Sequence, residues 1–301
     1  MPSRPGWFII NAIAASMATG GNSSFPGSAL GFSSGTLLNL LMRLNRQTRA
    51  GLARAWRTVA FAAILLSLAL SPASYRGDNR VAIEKQLVTG TPQNVLWFAV
   101  LCALISLVLI RIVVVTAVSY GLSRYALEMV VRVLVLELIP LTAAVFVALR
   151  CTLPDGVELA ELRARGDLAA LAGQGVDPIR REALPRVLAG VFLVWLLVSV
   201  SCVISLLLSY FTIYGFTQWA FAGYTRVVGQ VFTPAVSVIL LLKTLFFSIA
   251  VSLIPMASAL YDDVSAPMHS RSKAARELAS MVRLFAVVLA IEVASLVGNY
   301  Y

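Results

Sequence analysis

Residues 150–186 read RCTLPDGVELAELRARGDLAALAGQGVDPIRREALPR. Twelve charged side chains fall in this stretch, against 24 Lys and Arg and 14 Asp and Glu in the whole chain. The sequence on either side is apolar, from Met129 to Leu149 and from Val187 to Tyr210. A segment this charged cannot lie in hydrocarbon, so it must sit at a membrane face between two spans, within reach of a soluble partner. Three further apolar runs, Val95 to Ala117, Pro234 to Leu260 and Met281 to Val297, complete the pattern. The five runs are each about 17 to 27 residues long, and a helix needs roughly 20 apolar residues to cross the hydrocarbon. No alternating segments of about ten residues recur, which argues against a β-barrel. The expected fold is all-α: a polytopic helical membrane protein with about five transmembrane helices, preceded by an interfacial or re-entrant helical segment.

Composition agrees with that class. The chain is 59% hydrophobic and 13% charged, with a mean hydropathy of +0.86, whereas soluble domains carry about 25% charged residues. The net charge of +10 fits the excess of Lys and Arg found in cytoplasmic loops. These cations are spread over several loops without interleaved aromatics, so no nucleic-acid partner is expected. Cys102, Cys151 and Cys202 lie inside or at the end of apolar runs, with no CxxC pair. They read as small buried hydrophobes, and neither a metal nor a cofactor is expected.

Loop charge sets the orientation. Residues 150–186 carry six Arg, and Tyr261 to Leu278 carries Arg271, Lys273 and Arg276. The alternate connections carry Arg124 and Arg226 alone. The positive-inside rule puts the first pair in the cytoplasm and the C-terminus on the other side. Upstream, residues 1–36 read as a poorly ordered extension rich in Gly, Ser and Ala. Within it Trp7 to Ala18 resembles a weak signal peptide; the alternative is a later start, for example at Met42. Residues 37–92 read as an amphipathic, interfacial region on the cytoplasmic face. Arg43, Arg46, Arg49, Arg54 and Arg57, interleaved with Leu, suit a helix at headgroup level. Thr58 to Ser71 is apolar but short for a span. If it crossed, either the Arg-rich N-terminus or the 150–186 loop would lie outside, so a non-crossing segment is expected.

The charged loop has the punctuation of a folded elbow. Val157 to Arg165 reads as a short helix supported by Glu161 and Arg165 four apart, with Gly166 at its C-terminal cap. Asp167 is placed to cap a second short helix, Leu168 to Ala172, ended by Gly173 to Gly175. Asp177-Pro178 starts a third, with Asp accepting from backbone N–H groups and Pro at the first helical position. Pro185 reads as a kink or break at the next span. The same features also fit a solvated connector with no further role.

Arg111, Glu128, Arg132, Glu137, Lys243 and Glu292 fall in or at the ends of spans, where charge is costly and faces a bundle interior, a cavity or the interface. Glu128 and Arg132, four apart, can pair, and Arg111 can snorkel. Pro140 removes one backbone hydrogen bond and frees the carbonyl of Leu136. Lys243 has no counter-ion adjacent in sequence. It is either a functional intramembrane charge or one half of an ion pair with an acid on another helix. Catalytic motifs are nearly absent. The one GxSxG, Gly31 to Gly35, lacks the strand and helix that give such a turn its chemistry, and His269 is the only histidine.

Two blocks resemble a known family. Glu137-Leu138-Ile139-Pro140-Leu141-Thr142-Ala143-Ala144, running to Ala148-Leu149-Arg150, is similar to E-L-G-P-V-x-x-A…A-G-R. Gly175-Val176-Asp177-Pro178-Ile179-Arg180 with Pro185-Arg186 is similar to G-V-D-P-x-R…P-R. Weaker likenesses are Glu158-Leu159, Lys85-Gln86-Leu87 and Leu242-Lys243-Thr244. The family is the MlaE/YrbE-type permease of MCE-associated ABC transporters. Ile139 and Leu149 replace family glycines, and Ala160 to Ala172 departs most from the family pattern.

The resemblance implies a non-catalytic lipid-transport permease, a homodimer in the inner membrane with its C-terminus in the periplasm. It implies an ABC ATPase subunit in the cytoplasm, a periplasmic MCE-domain lipid-binding protein and a phospholipid or related lipid substrate. Residues 93–301 become the permease domain and 150–186 the loop that couples to the ATPase. Its candidate contact residues are Glu158, Arg163, Gly175, Val176, Asp177, Pro178, Arg180 and Arg181. The intramembrane candidates are Glu137, Pro140, Lys243 and Glu292. Two other readings remain open on residues alone: a membrane-embedded lipid-modifying enzyme, and a scaffold subunit that moves nothing.

Overall fold

A computed structural model describes residues 56–69, 71, 78–122, 125–261 and 273–300. The expectations for residues 1–36, for most of Leu37 to Arg57, for the Gly31–Gly35 motif and for His269 and Arg271 lie outside the described residues. Among the described residues there are eight helices of more than one turn and no strand. They are α1 (Trp56–Ala69), α2 (Asp78–Ser119), α3 (Ala126–Arg165), α4 (Asp167–Gly173), α5 (Ile179–Tyr214), α6 (Phe221–Val231), α7 (Pro234–Tyr261) and α8 (Lys273–Tyr300). Five helices are long and apolar enough to cross a membrane, within α2, α3, α5, α7 and α8. The chain is a multi-pass helical membrane protein, as its apolar runs require.

Three prolines shape the spans without breaking them. Pro140, Pro154 and Pro185 each stand just inside a regular α-helical segment that follows a π-helical one: Val131–Leu138, Ala148–Thr152 and Ile179–Ala183. A proline has no N–H for the carbonyl four residues back, and its ring crowds that carbonyl. Widening the turn ahead of the proline relieves the crowding. Ile139, Leu153 and Leu184 accordingly donate to the carbonyls of Leu134, Ala148 and Ile179, five residues back. Pro185 is therefore no break: α5 runs through it.

The charged stretch also differs in detail from its sequence reading. The helix expected from Val157 is the end of α3, which continues unbroken from Ala126 to Arg165. Forty residues of helix measure about 60 Å, twice the roughly 30 Å hydrocarbon thickness, so the end of α3 projects beyond the bilayer. Gly166 ends α3 with φ of 86°, the left-handed conformation glycine takes without strain. Gly166, not Asp167, stands at the N-cap of α4, and Asp167 is its first helical residue. Gly175 turns the chain back with φ of 77°. Asp177 does cap the next helix, its Oδ1 accepting from the N–H of Ile179 at 3.0 Å. The elbow is thus two projecting helix ends bridged by the seven-residue α4.

α1, from Trp56 to Ala69, is about 21 Å of helix, too short to cross as a regular span. Phe61 and Leu65 on its inward face are buried among Leu159, Leu184 and Met256, at the elbow end of the bundle. The Phe61 ring meets Tyr261 edge-on at 5.7 Å. The first span lies inside a longer helix, since α2 begins at Asp78. At the opposite end, α6 was not foreseen in the sequence. Its Tyr224 turns inward, donates to the carbonyl of Leu206 at 2.8 Å and lies 3.1 Å from Ser209 Oγ. Burial pushes the Tyr224 phenol above its ordinary pKa.

Small residues let α3 and α5 approach α7 closely. A Cβ on Gly156 would lie 3.1 Å from Pro255 Cβ and 3.2 Å from the Pro255 carbonyl oxygen. One on Gly190 would lie 2.6 Å from Ser252 Oγ and 3.0 Å from Thr152 Cγ2. Gly156→Val, set against backbone that cannot rotate away, is expected to cost about 1–3 kcal/mol. Thermal unfolding of the purified chain in detergent measures it.

Candidate functional site

Two clusters gather several of the charged residues singled out above. The first lies within the membrane-spanning helices and joins α3, α7 and α8. The Lys243 ammonium, on α7, donates to Glu137 Oε2 on α3, to Glu292 Oε1 on α8 at 3.0 Å and to the carbonyl of Leu136 at 3.3 Å. Its distance to Glu292 Oε2 is 2.9 Å, so both oxygens of that carboxylate straddle it. An ammonium has three donors, and all three are engaged. The Lys243 side chain is 1% exposed, those of Glu137 and Glu292 15% and 11%. The Phe247 ring, one turn on, lies 5.9 Å from the nitrogen.

The Leu136 carbonyl in this cluster is the one Pro140 leaves without an α-helical donor. Pro140 therefore acts at the site through the backbone it frees. Depth is consistent as well. Glu137, Lys243 and Glu292 lie about 12–17 Å of helix rise from the ends of α3, α7 and α8 opposite the elbow, about midway through the hydrocarbon. Lys243 thus has its counter-ions: it pairs with acids on two other helices. The pairing with Glu137 and Glu292 was invisible in sequence because they stand 106 and 49 residues away. Glu128 and Arg132 pair with each other as their spacing suggests, Oε1 to Nη2 at 3.1 Å.

The second cluster holds the elbow together. Arg186, 9% exposed at the start of the third span, donates to the Asp155 carbonyl at 3.3 Å, to Glu158 Oε1 at 3.2 Å and to Glu182 Oε2 at 3.4 Å. It ties the end of α3 to the start of α5. Arg163 reaches across to the Ala259 carbonyl at 3.2 Å and ties the elbow to α7. Two of the loop candidates, Glu158 and Arg163, thus take part in internal contacts of the elbow. Gly175, Asp177 and Arg181 are exposed at its tip, with Val176, Pro178 and Arg180 half-buried beside them. A cleft of about 290 Å³ opens next to them, lined by Leu162, Asp167, Leu168, Ala170, Leu171, Gln174 and Glu182. Arg186 was missed as an organising residue; the signal available was an arginine directly after Pro185 at the head of an apolar run.

The chain thus combines five spans, a buried charge cluster between three of them and a charged elbow at one end. A protein-family model described as Permease MlaE matches residues 83–297. The chain belongs to the MlaE permease family, and is thereby the membrane permease component of an ABC-type lipid transporter. No curated protein sequence matches it.

Removing Lys243 leaves two carboxylates in the span region without their cation. Lys243→Met is expected to destabilise the fold by about 3–5 kcal/mol. The neutral triple variant Glu137→Gln, Lys243→Met, Glu292→Gln should recover most of that loss, because no buried charge remains unpaired. Chemical denaturation of the two variants in mixed micelles compares them.

Proposed function

We propose that this permease moves phospholipids or related lipids between the inner and outer membranes of a Gram-negative cell. In this reading it works as a homodimer in the inner membrane, with its C-terminus in the periplasm. ATP is hydrolysed by a separate cytoplasmic ATPase subunit, and lipid is exchanged with a periplasmic MCE-domain lipid-binding protein. The observation that carries the reading is the family match over residues 83–297, which takes in four of the spans whole and the elbow. Charge asymmetry supports the cytoplasmic placement of the elbow, since its six Arg exceed the basic residues of the connections at the other end.

The elbow is the ATPase-docking surface in this proposal. Gly175, Val176, Asp177, Pro178, Arg180 and Arg181 form the contacting tip, and Glu158 and Arg163 hold the tip in place. Arg186 and the close approach of Gly156 to Pro255 make the elbow stiff enough to pass a displacement to α7. Asp177→Lys and Arg180→Glu are each expected to abolish co-purification of the ATPase subunit while leaving the permease folded. ATPase binding that survives both changes overturns the docking assignment.

The intramembrane cluster sets the arrangement of α3, α7 and α8 from which transport starts. The neutral triple variant is expected to fold and to lose lipid transfer by about tenfold or more in a reconstituted complex, a loss in the range of typical coupling energies. Unchanged transfer would make Glu137, Lys243 and Glu292 a structural tie only.

A further inference from the structure

The outer surface of α5 carries Val203, Leu207 and Phe211 at intervals of four, all exposed. Four-residue spacing places them on one helix face. On a membrane-spanning helix, such a stripe faces acyl chains. The stripe does not stop where α5 stops. The Phe211 ring lies 5.0 Å from that of Phe216, which follows the turn at Gly215. Phe216 is 89% exposed and Trp219, three residues on, is 97% exposed. Phe221, at the start of α6, is also exposed. No charged residue occurs from Phe211 until Arg226.

This connection has a fixed geometry. Tyr210 Oη donates to the Thr217 carbonyl at 2.6 Å, and Thr217 Oγ1 donates to the Tyr214 carbonyl at 2.7 Å. The Tyr210 ring packs against Phe221 at 5.9 Å and Tyr224 at 5.2 Å. Buried Tyr224 and Val231 anchor α6 from within, while Thr225, Arg226 and Gln230 are exposed along it. Anchored backbone therefore presents bare aromatic rings at the end of a span, beside a short helix with a polar face. A Trp in that position sits at headgroup level, where its apolar body and its N–H are both accommodated, and the Phe rings beside it bury toward the acyl boundary.

We propose that Phe216, Trp219 and Phe221 form a lipid-binding ledge that seats the end of the bundle opposite the elbow in the headgroup zone of the adjoining leaflet. The occupant is the phospholipid surface itself, because the ledge continues a stripe already turned toward acyl chains. Arg226 supplies the positive charge suited to lipid phosphates. The ledge does not depend on what the permease transports, so it is tested independently of that reading.

The full chain, with Trp219 as its sole tryptophan after Trp7, Trp56, Trp97 and Trp195 are replaced by Phe, is reconstituted into phosphatidylethanolamine–phosphatidylglycerol vesicles. Phosphatidylcholine brominated near the headgroup end of its chains and aqueous iodide serve as competing quenchers. Trp219 emission is expected to be quenched about twofold or more more strongly by the brominated lipid than by iodide. Phe216→Trp in a Trp219→Phe background provides a second reporter with the same expected outcome, and guards against a local disturbance at either position. Quenching by iodide alone places the rings in water and overturns the proposal. Shielding from both quenchers places a second copy or another protein on the ledge and overturns it equally.

Discussion

Lys243 and its three acceptors are the interaction on which the rest of the membrane region depends. A lone ammonium in the hydrocarbon interior is costly, and so is a lone carboxylate. Each is tolerable here only because the helices bring the groups into contact. Two carboxylates from α3 and α8 and one carbonyl from α3 converge on α7. The contact sets how those three helices sit relative to one another, since sliding any one of them separates a buried charge from its partner. Nonpolar packing tolerates small shifts far better than such a cluster does.

The prolines serve the same arrangement. A backbone group inside a membrane must find its partner within the protein, so each proline in a span creates an acceptor in need of a donor. At Pro140 the need is met by Lys243, through the carbonyl of Leu136. π-helical turns before Pro140, Pro154 and Pro185 keep the helices continuous. Such turns recur at functional positions in helices, and here two of the three flank the elbow. Between them, Gly156 and Gly190 bring α3 and α5 against α7, nine to twelve residues along that helix from Lys243. These contacts join the base of the elbow to α7, the helix that carries Lys243.

Much of this was legible from residues alone, for identifiable reasons. Apolar run length marked the spans because the hydrocarbon thickness sets a minimum helix length. Asp177-Pro178 marked a helix start because both residues act on backbone within one turn. The free carbonyl of Leu136 followed from the chemistry of proline. Other features were misjudged where two local rules competed. Asp167 looked like a cap, but Gly166 takes that position because only the glycine enters the left-handed region cheaply. Pro185 looked like a break, but a widened turn absorbed it. α6 went unseen because its eleven residues carry two buried anchors, Tyr224 and Val231, too few to stand out as a periodic pattern.

By itself, the sequence determined which segments enter the bilayer and which stretch must stay outside it. These outcomes depend on hydropathy, charge and backbone chemistry within a few residues of one another. Only the tertiary structure decided that Glu137 and Glu292 are the partners of Lys243, and that Arg186 and Arg163 clamp the elbow. Charges in a span announce the need for a partner, but not its identity. Which acid answers depends on helix order, rotation and depth, and those are set by packing between segments that lie far apart in the chain.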